Sequence, residues 1–252
     1  MSKALLAICV FAAIASAEPC LAQSDLVERL SIERLGSIQP GAYVAGDRIH
    51  FTIGAFGGNY LLRFDGDPEV FALYADRTSL GGRILKYDSG ETAIRTASWG
   101  GITLYTDGSP NGLPAVRSGD AAVPQLPVVS VSQMQAVAGD ESEHLAYARR
   151  LRVIFTADWS VLETSSALRS TALDALENAA RGIERFTHAS AGRETISDHV
   201  TTVTLATAMR PTLRLYDKTL IVTFNPDRGY FGRASSRAIA RALMLVLPAS
   251  KR

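Results

Sequence analysis

The chain has 252 residues, 47% of them hydrophobic, and 26 basic against 25 acidic side chains give a net charge of +1. That balance excludes a bulk electrostatic attraction to nucleic acid. The length is enough for a real apolar core without covalent staples.

The chain opens MSKALLAICVFAAIASAEPCLAQSD. Lys3 precedes an unbroken apolar and small stretch over residues 4–17. This run is shorter than the roughly 20 residues a bilayer span needs. A basic start, a short apolar stretch and small residues near a cut site are the pattern of a secretory signal peptide. Cleavage is expected after Ala22, so residues 1–22 are read as the signal and the protein as exported, periplasmic or secreted. The only cysteines, Cys9 and Cys20, lie in that segment. The mature chain is thus expected to lack a thiol, a disulfide and a cysteine-bound metal.

Residues 24–36 (SDLVERLSIERLG) read as a short helix with Ser24 or Asp25 as cap and Gly36 as stop. From residue 41 the period changes to two. Short runs such as RIHFTIGAF, NYLLRF, PEVFALY, RILKY, TAIRTA and ITLYT are separated by AGD, GGN, DGDP, SLGG, DSG and WGG. This spacing predicts an antiparallel meander closing as a sandwich or small barrel, so residues 23–106 are assigned to a β-rich domain. PEVFALY is apolar on both faces and is expected to be covered on both sides.

Residues 107–142 hold Pro110, Pro114, Pro124 and Pro127 among small and polar residues, and are expected to be a linker or surface arm with one edge strand at residues 127–132. Residues 143–252 read β-α-β-β-β-α, an α+β domain. Its first helix, residues 165–186, carries Leu168, Ala172, Leu176, Ala179 and Ile183 on one side, with a Glu177–Arg181 pair on another. A hairpin turns at Tyr216-Asp217-Lys218, and a last helix is expected over residues 232–247.

Three stretches invite a chemical reading. Asp65, Asp67 and Glu69 alternate in DGDPE, but Val70 stands where a calcium loop needs glycine and Asp76 where it needs glutamate. They are read instead as a hairpin tip with its carboxylates in water, and no metal or cofactor is expected. Asp88-Ser89-Gly90 is likewise read as a turn. His188 and His199 flank one loop with Asp198 beside His199, the only place where a base and an orienting carboxylate adjoin in sequence. Neither a nucleotide-binding glycine loop nor a GxSxG elbow is present. Trp99, Tyr105, Tyr74 and Phe71 make a possible sugar-stacking wall, against the commoner role of strand aromatics as core. The third stretch is GRASSRAIARAL, in which Arg233, Arg237 and Arg241 repeat every four residues and Ser235 and Ser236 stand at a helix start. Together they suit an anion or an acidic partner; the plainer reading is a solvated basic face with a serine cap.

The stretches LLRFDGDPEVFAL, GGITLYTDGSPNGLPA and GRASSRAIARAL resemble a family of exported bacterial proteins known only as a domain of unknown function. The resemblance implies export, a bacterial source and one shared architecture; it brings no activity, cofactor or catalytic residue. The expected function is a non-catalytic binding or structural protein of the cell envelope, with an envelope protein or anionic ligand as partner and no membrane span. The alternatives are an envelope hydrolase using His199 and Asp198 or strand carboxylates, and a carrier holding a small apolar ligand in the β domain.

Overall fold

The computed structural model describes residues 38–77 and 82–247. The expected signal peptide and the helix over residues 24–36 lie outside them.

Eight antiparallel strands follow one another around a closed barrel: β1 (Gly41–Ala45), β2 (Ile49–Phe56), β3 (Asn59–Phe64), β4 (Val70–Arg77), β5 (Arg83–Tyr87), β6 (Thr92–Thr96), β7 (Ile102–Thr106) and β8 (Ser109–Gly119). Closure comes from β8 pairing back onto β1, with Val44 opposite Val116. The expected meander is therefore a barrel rather than a sandwich. Closure leaves no free sheet edge, the liability a short antiparallel sheet otherwise carries. Alternate residues point inward, and Phe51, Ile53, Leu62, Phe71, Leu73, Leu85, Ile94 and Leu104 are at most 1% exposed. A string of rings, Tyr43–Phe51–Phe64–Phe71–Tyr87, runs through the interior with centroid spacings of 5.3–6.2 Å. Eight strands enclose a space that side chains can fill, and here they do.

The stretch over residues 107–142 differs from its expectation. It holds β8 and most of helix α1 (Val131–Arg149), and residues 127–132 form no strand. Ser130 caps α1 in a reciprocal pair with Gln133.

In the remainder the expected strands and two long helices recur in order, with two further helices and a 3-10 segment added between them. After α1 come β9 (Ile154–Ala157), the short α2 (Trp159–Leu162), α3 (Ser166–Phe186), α4 (Ser190–His199), β10 (Thr202–Thr207), β11 (Leu213–Tyr216), β12 (Thr219–Phe224), a 3-10 segment (Pro226–Gly232) and α5 (Ser236–Val246). The sheet order is β11-β12-β10-β9, with β9, β10 and β12 parallel and β11 antiparallel. The β11–β12 turn is the expected one, with Asp217 and Lys218 both at positive φ as a two-residue hairpin requires. Helix α3 is the spine: Leu168, Ala172, Leu176, Ala179 and Ile183 are all buried, and Arg181 Nη2 lies 3.1 Å from Glu177 Oε2. It packs closely on α5 at Gly182, where an added Cβ would lie 2.5 Å from Ile239 Cγ2.

Strand β4 is covered on both faces, as expected. Phe71 and Leu73 enter the barrel core, while Val70 and Ala72 join Leu61 under Tyr230 and Phe231 of the 3-10 segment. This apolar seam fixes the barrel to the α/β layer. Burying such a set contributes on the order of 1.5–3 kcal/mol per large side chain.

Candidate functional site

The residues expected to bind an anion stand at the joint between α5 and the barrel, where they meet partners from the chain itself. Helix α5 starts against the barrel. Ser236 donates its N–H to Glu69 Oε1 at 2.8 Å and its hydroxyl to Glu69 Oε2 at 2.6 Å. Ser235 donates its N–H to Asp88 Oδ2 at 2.7 Å and its hydroxyl to Asp88 Oδ1. The Ser235 hydroxyl also accepts the Ala238 N–H at 3.2 Å, the ordinary cap bond. Two carboxylates from barrel turns thus satisfy free N–H groups at the positive end of a helix dipole.

The arginines close the same joint. Arg233 precedes α5 and its side chain is fully buried. Its Nε donates to Asp174 on α3 and its Nη2 to the Val70 carbonyl. Burial, the largest single effect, opposes its charge, but Asp174, Glu69 and Asp88 together outweigh it and raise the guanidinium further above its ordinary value. Arg237 spans Glu91 at 2.8 Å and Asp107 at 2.7 Å and lies over the Tyr87 ring at 4.5 Å. Arg241 donates to the Ser89 carbonyl. Arg185 on α3 donates to the Ser236 hydroxyl at 2.8 Å and reaches Asp107 at 3.3 Å. The stripe read as a solvated basic face thus meets partners within the chain: Arg233 is buried against α3 and β4, Arg237 is half-buried, and Arg241 reaches the Ser89 carbonyl while remaining exposed.

The acidic turn also differs from its expectation. Asp65 and Gly66 do form the turn, with Gly66 at φ 77°. Glu69, however, is 1% exposed rather than in water. Burial raises its carboxyl above the usual carboxylate range, against the lowering effects of Ser236, Arg233 and Arg185. Asp88-Ser89-Gly90 is the expected hairpin turn and also half of the α5 clasp.

The histidine pair does not assemble. The segment read as a loop is helix α4, with His188 before its start and His199 at its end. Ten residues of helix separate the ends by about 15 Å. Asp198 is exposed and next to His199 on the helix, and no bond joins their side chains among the described residues.

The aromatic wall divides. Phe71 is core and Tyr74 packs edge-on against Phe231 at 5.3 Å. Trp99 is 87% exposed. Tyr105 lies across Gly112, where an added Cβ would come within 2.8 Å of its ring, so the missing side chain seats it. Both rings border a groove on the outer wall of β5–β8. One cavity of about 580 Å³ is lined in part by Ile84, Thr92, Arg95, Tyr105 and Asp107. A second of about 440 Å³ shares Arg95 and Tyr105 with it and adds Trp99, Thr103 and Pro114. Register places Ile84, Arg95, Thr103 and Pro114 in one cross-strand row. Arg95 is exposed, and its side chain makes no ion pair or hydrogen bond among the described residues. No group of side chains suited to a metal ion occurs among the described residues, and no helix there is long and apolar enough to cross a membrane.

No curated protein and no solved structure matches the chain. The family described as Domain of unknown function (DUF4908) matches residues 24–243, a span that takes in the barrel, the α5 clasp and the groove alike, and the chain belongs to that family.

Proposed function

We propose that the chain is exported and serves as a non-catalytic binding protein of the bacterial cell envelope, with the β5–β8 groove as its contact surface and a saccharide as its ligand. The observation that carries this reading is Trp99, a large ring 87% exposed beside Tyr105 and an unpaired Arg95. Flat aromatic faces pair with the C–H face of a sugar ring, and Arg95, Thr92 and Thr103 supply hydrogen bonds to its hydroxyls. The barrel beneath is filled with side chains, which suits a rigid platform better than a carrier. Export rests on the signal-like pattern of residues 1–22.

The test uses purified residues 23–252 and insoluble peptidoglycan, with cellulose as control. The protein is expected to co-sediment with peptidoglycan without releasing soluble fragments. Trp99→Ala is expected to weaken retention about tenfold, equivalent to losing one stacked ring, with unchanged thermal stability. Equal retention of the variant, or no retention of the parent, overturns the assignment. Cell fractionation with intact-mass measurement tests export, and a chain that keeps residues 1–22 in the cytoplasm refutes it.

A further inference from the structure

A further recess lies between the end of α1 and the start of α4. Its volume is about 410 Å³, and its lining includes Arg149, Arg150, His188, Ser190 and Arg193. No carboxylate lines it. Glu184, which is not in the lining, holds Arg149 Nη2 at 3.0 Å and is shared with His144 Nε2 at 3.6 Å. Arg150 and Arg193 are exposed, and their side chains have no ion pair or hydrogen bond among the described residues. Three guanidiniums from two elements therefore face one recess, and of the three only Arg149 is ion-paired among the described residues.

The detailed chemistry points one way. Arg149 Nε is buried without a partner. Arg149 Nη2 sits 3.3 Å from His188 Nδ1; with Nδ1 as acceptor, the neutral ring presents Nε2–H as a donor. Arg150 is held in the left-handed region, φ 57° and ψ 37°, at the helix end where glycine is usual. Helix α4 opens after Ala189 with no side-chain cap. The recess is therefore furnished mainly with donors and positive charge. Guanidinium forks match the oxygens of a tetrahedral anion. From the convergence of these arginines we infer that the recess binds a phosphate-type oxyanion, either free or as the headgroup of an anionic lipid. The start of α4 adds free N–H groups but does not by itself make the site.

The experiment titrates inorganic phosphate into the ¹⁵N-labelled protein at low salt, with chloride as control. Phosphate is expected to move the Ser190, Ala191 and Arg193 amide signals with a Kd of about 1 mM or tighter. Arg150→Glu combined with Arg193→Glu is expected to weaken it at least tenfold; both side chains are exposed, so the fold should persist, and the unperturbed remainder of the spectrum checks this. In a parallel arm, flotation with phosphatidylglycerol vesicles is compared with phosphatidylcholine vesicles. Binding to phosphatidylglycerol that the double variant loses, without response to free phosphate, identifies the lipid headgroup as the source. No shift at these amides up to about 10 mM phosphate together with vesicle binding that is absent or unaffected by the double variant overturns the inference.

Discussion

Ser236 gives both its backbone N–H and its hydroxyl to Glu69, a residue 167 positions earlier in the chain. A buried carboxylate with no other strong donor depends on this contact. Glu69→Gln is expected to lower unfolding stability by about 2–3 kcal/mol, the range for a buried hydrogen bond to a charged group. Asp65→Asn in the same turn should stay within about 0.5 kcal/mol. The pH dependence follows from the raised Glu69 carboxyl. A carboxyl that binds its proton more tightly when folded contributes stability that is full below its ordinary value of 4.5 and is lost as pH rises through the folded value. The deficit of Glu69→Gln relative to the parent should therefore be larger at low pH than near pH 8. Urea denaturation across that window checks it; a deficit that shrinks on acidification would contradict the assignment.

The Arg233–Asp174 pair is wholly interior on the arginine side. Arg233→Met removes the cation and leaves Asp174 facing an apolar seam, with an expected loss of about 3–5 kcal/mol. Adding Asp174→Leu should recover part of that loss, because the orphaned charge is gone. Arg233→Lys should behave more like the methionine variant than like the parent, since one ammonium cannot serve both Asp174 and the Val70 carbonyl in the fork geometry. A double-mutant cycle by chemical denaturation gives the coupling, and additive single effects would show that the two side chains act independently.

Tyr87 provides the opposite sign. Its hydroxyl is buried with no hydrogen-bond partner among the described residues, while its ring supports Arg237. Tyr87→Phe keeps the ring and drops the unmatched oxygen, so stability at pH 7 should be unchanged or rise by up to about 1 kcal/mol. Burial first of all, outweighing the opposing Arg237, pushes the phenol from 10.0 to about 12. The stability this contributes is present below pH 10 and lost as pH rises through about 12. The phenylalanine variant should therefore lose less stability than the parent over that alkaline range, as thermal melts at stepped pH will show.

Local pattern carried much of the architecture. The β meander, the two-sided burial of β4, the apolar side of α3 and the β11–β12 hairpin all follow from spacing within a few residues. Strand β8 was hidden because it is largely exposed and holds Pro110 and Pro114, so no alternation marks it. Its prolines still serve closure, since the Pro114 carbonyl accepts the Gly46 N–H at 3.3 Å. Helix α1 was hidden because only Met134, Ala138 and Leu145 of its 19 residues are buried. The clasp was half legible: Ser235 and the arginines read as an anion site, but the carboxylates that meet them come from distant turns. No local period links Glu69 or Asp88 to residue 236. Of the aromatic wall, register alone sorted Phe71 inward and Tyr105 outward.

One consequence follows from the position of α5 in the chain. It follows in the chain the barrel groups that grip it, and its bonds to Glu69 and Asp88 span 167 and 147 positions. Such contacts close long loops, an entropically costly event, so the helix works as a latch between two layers rather than as a staple within one.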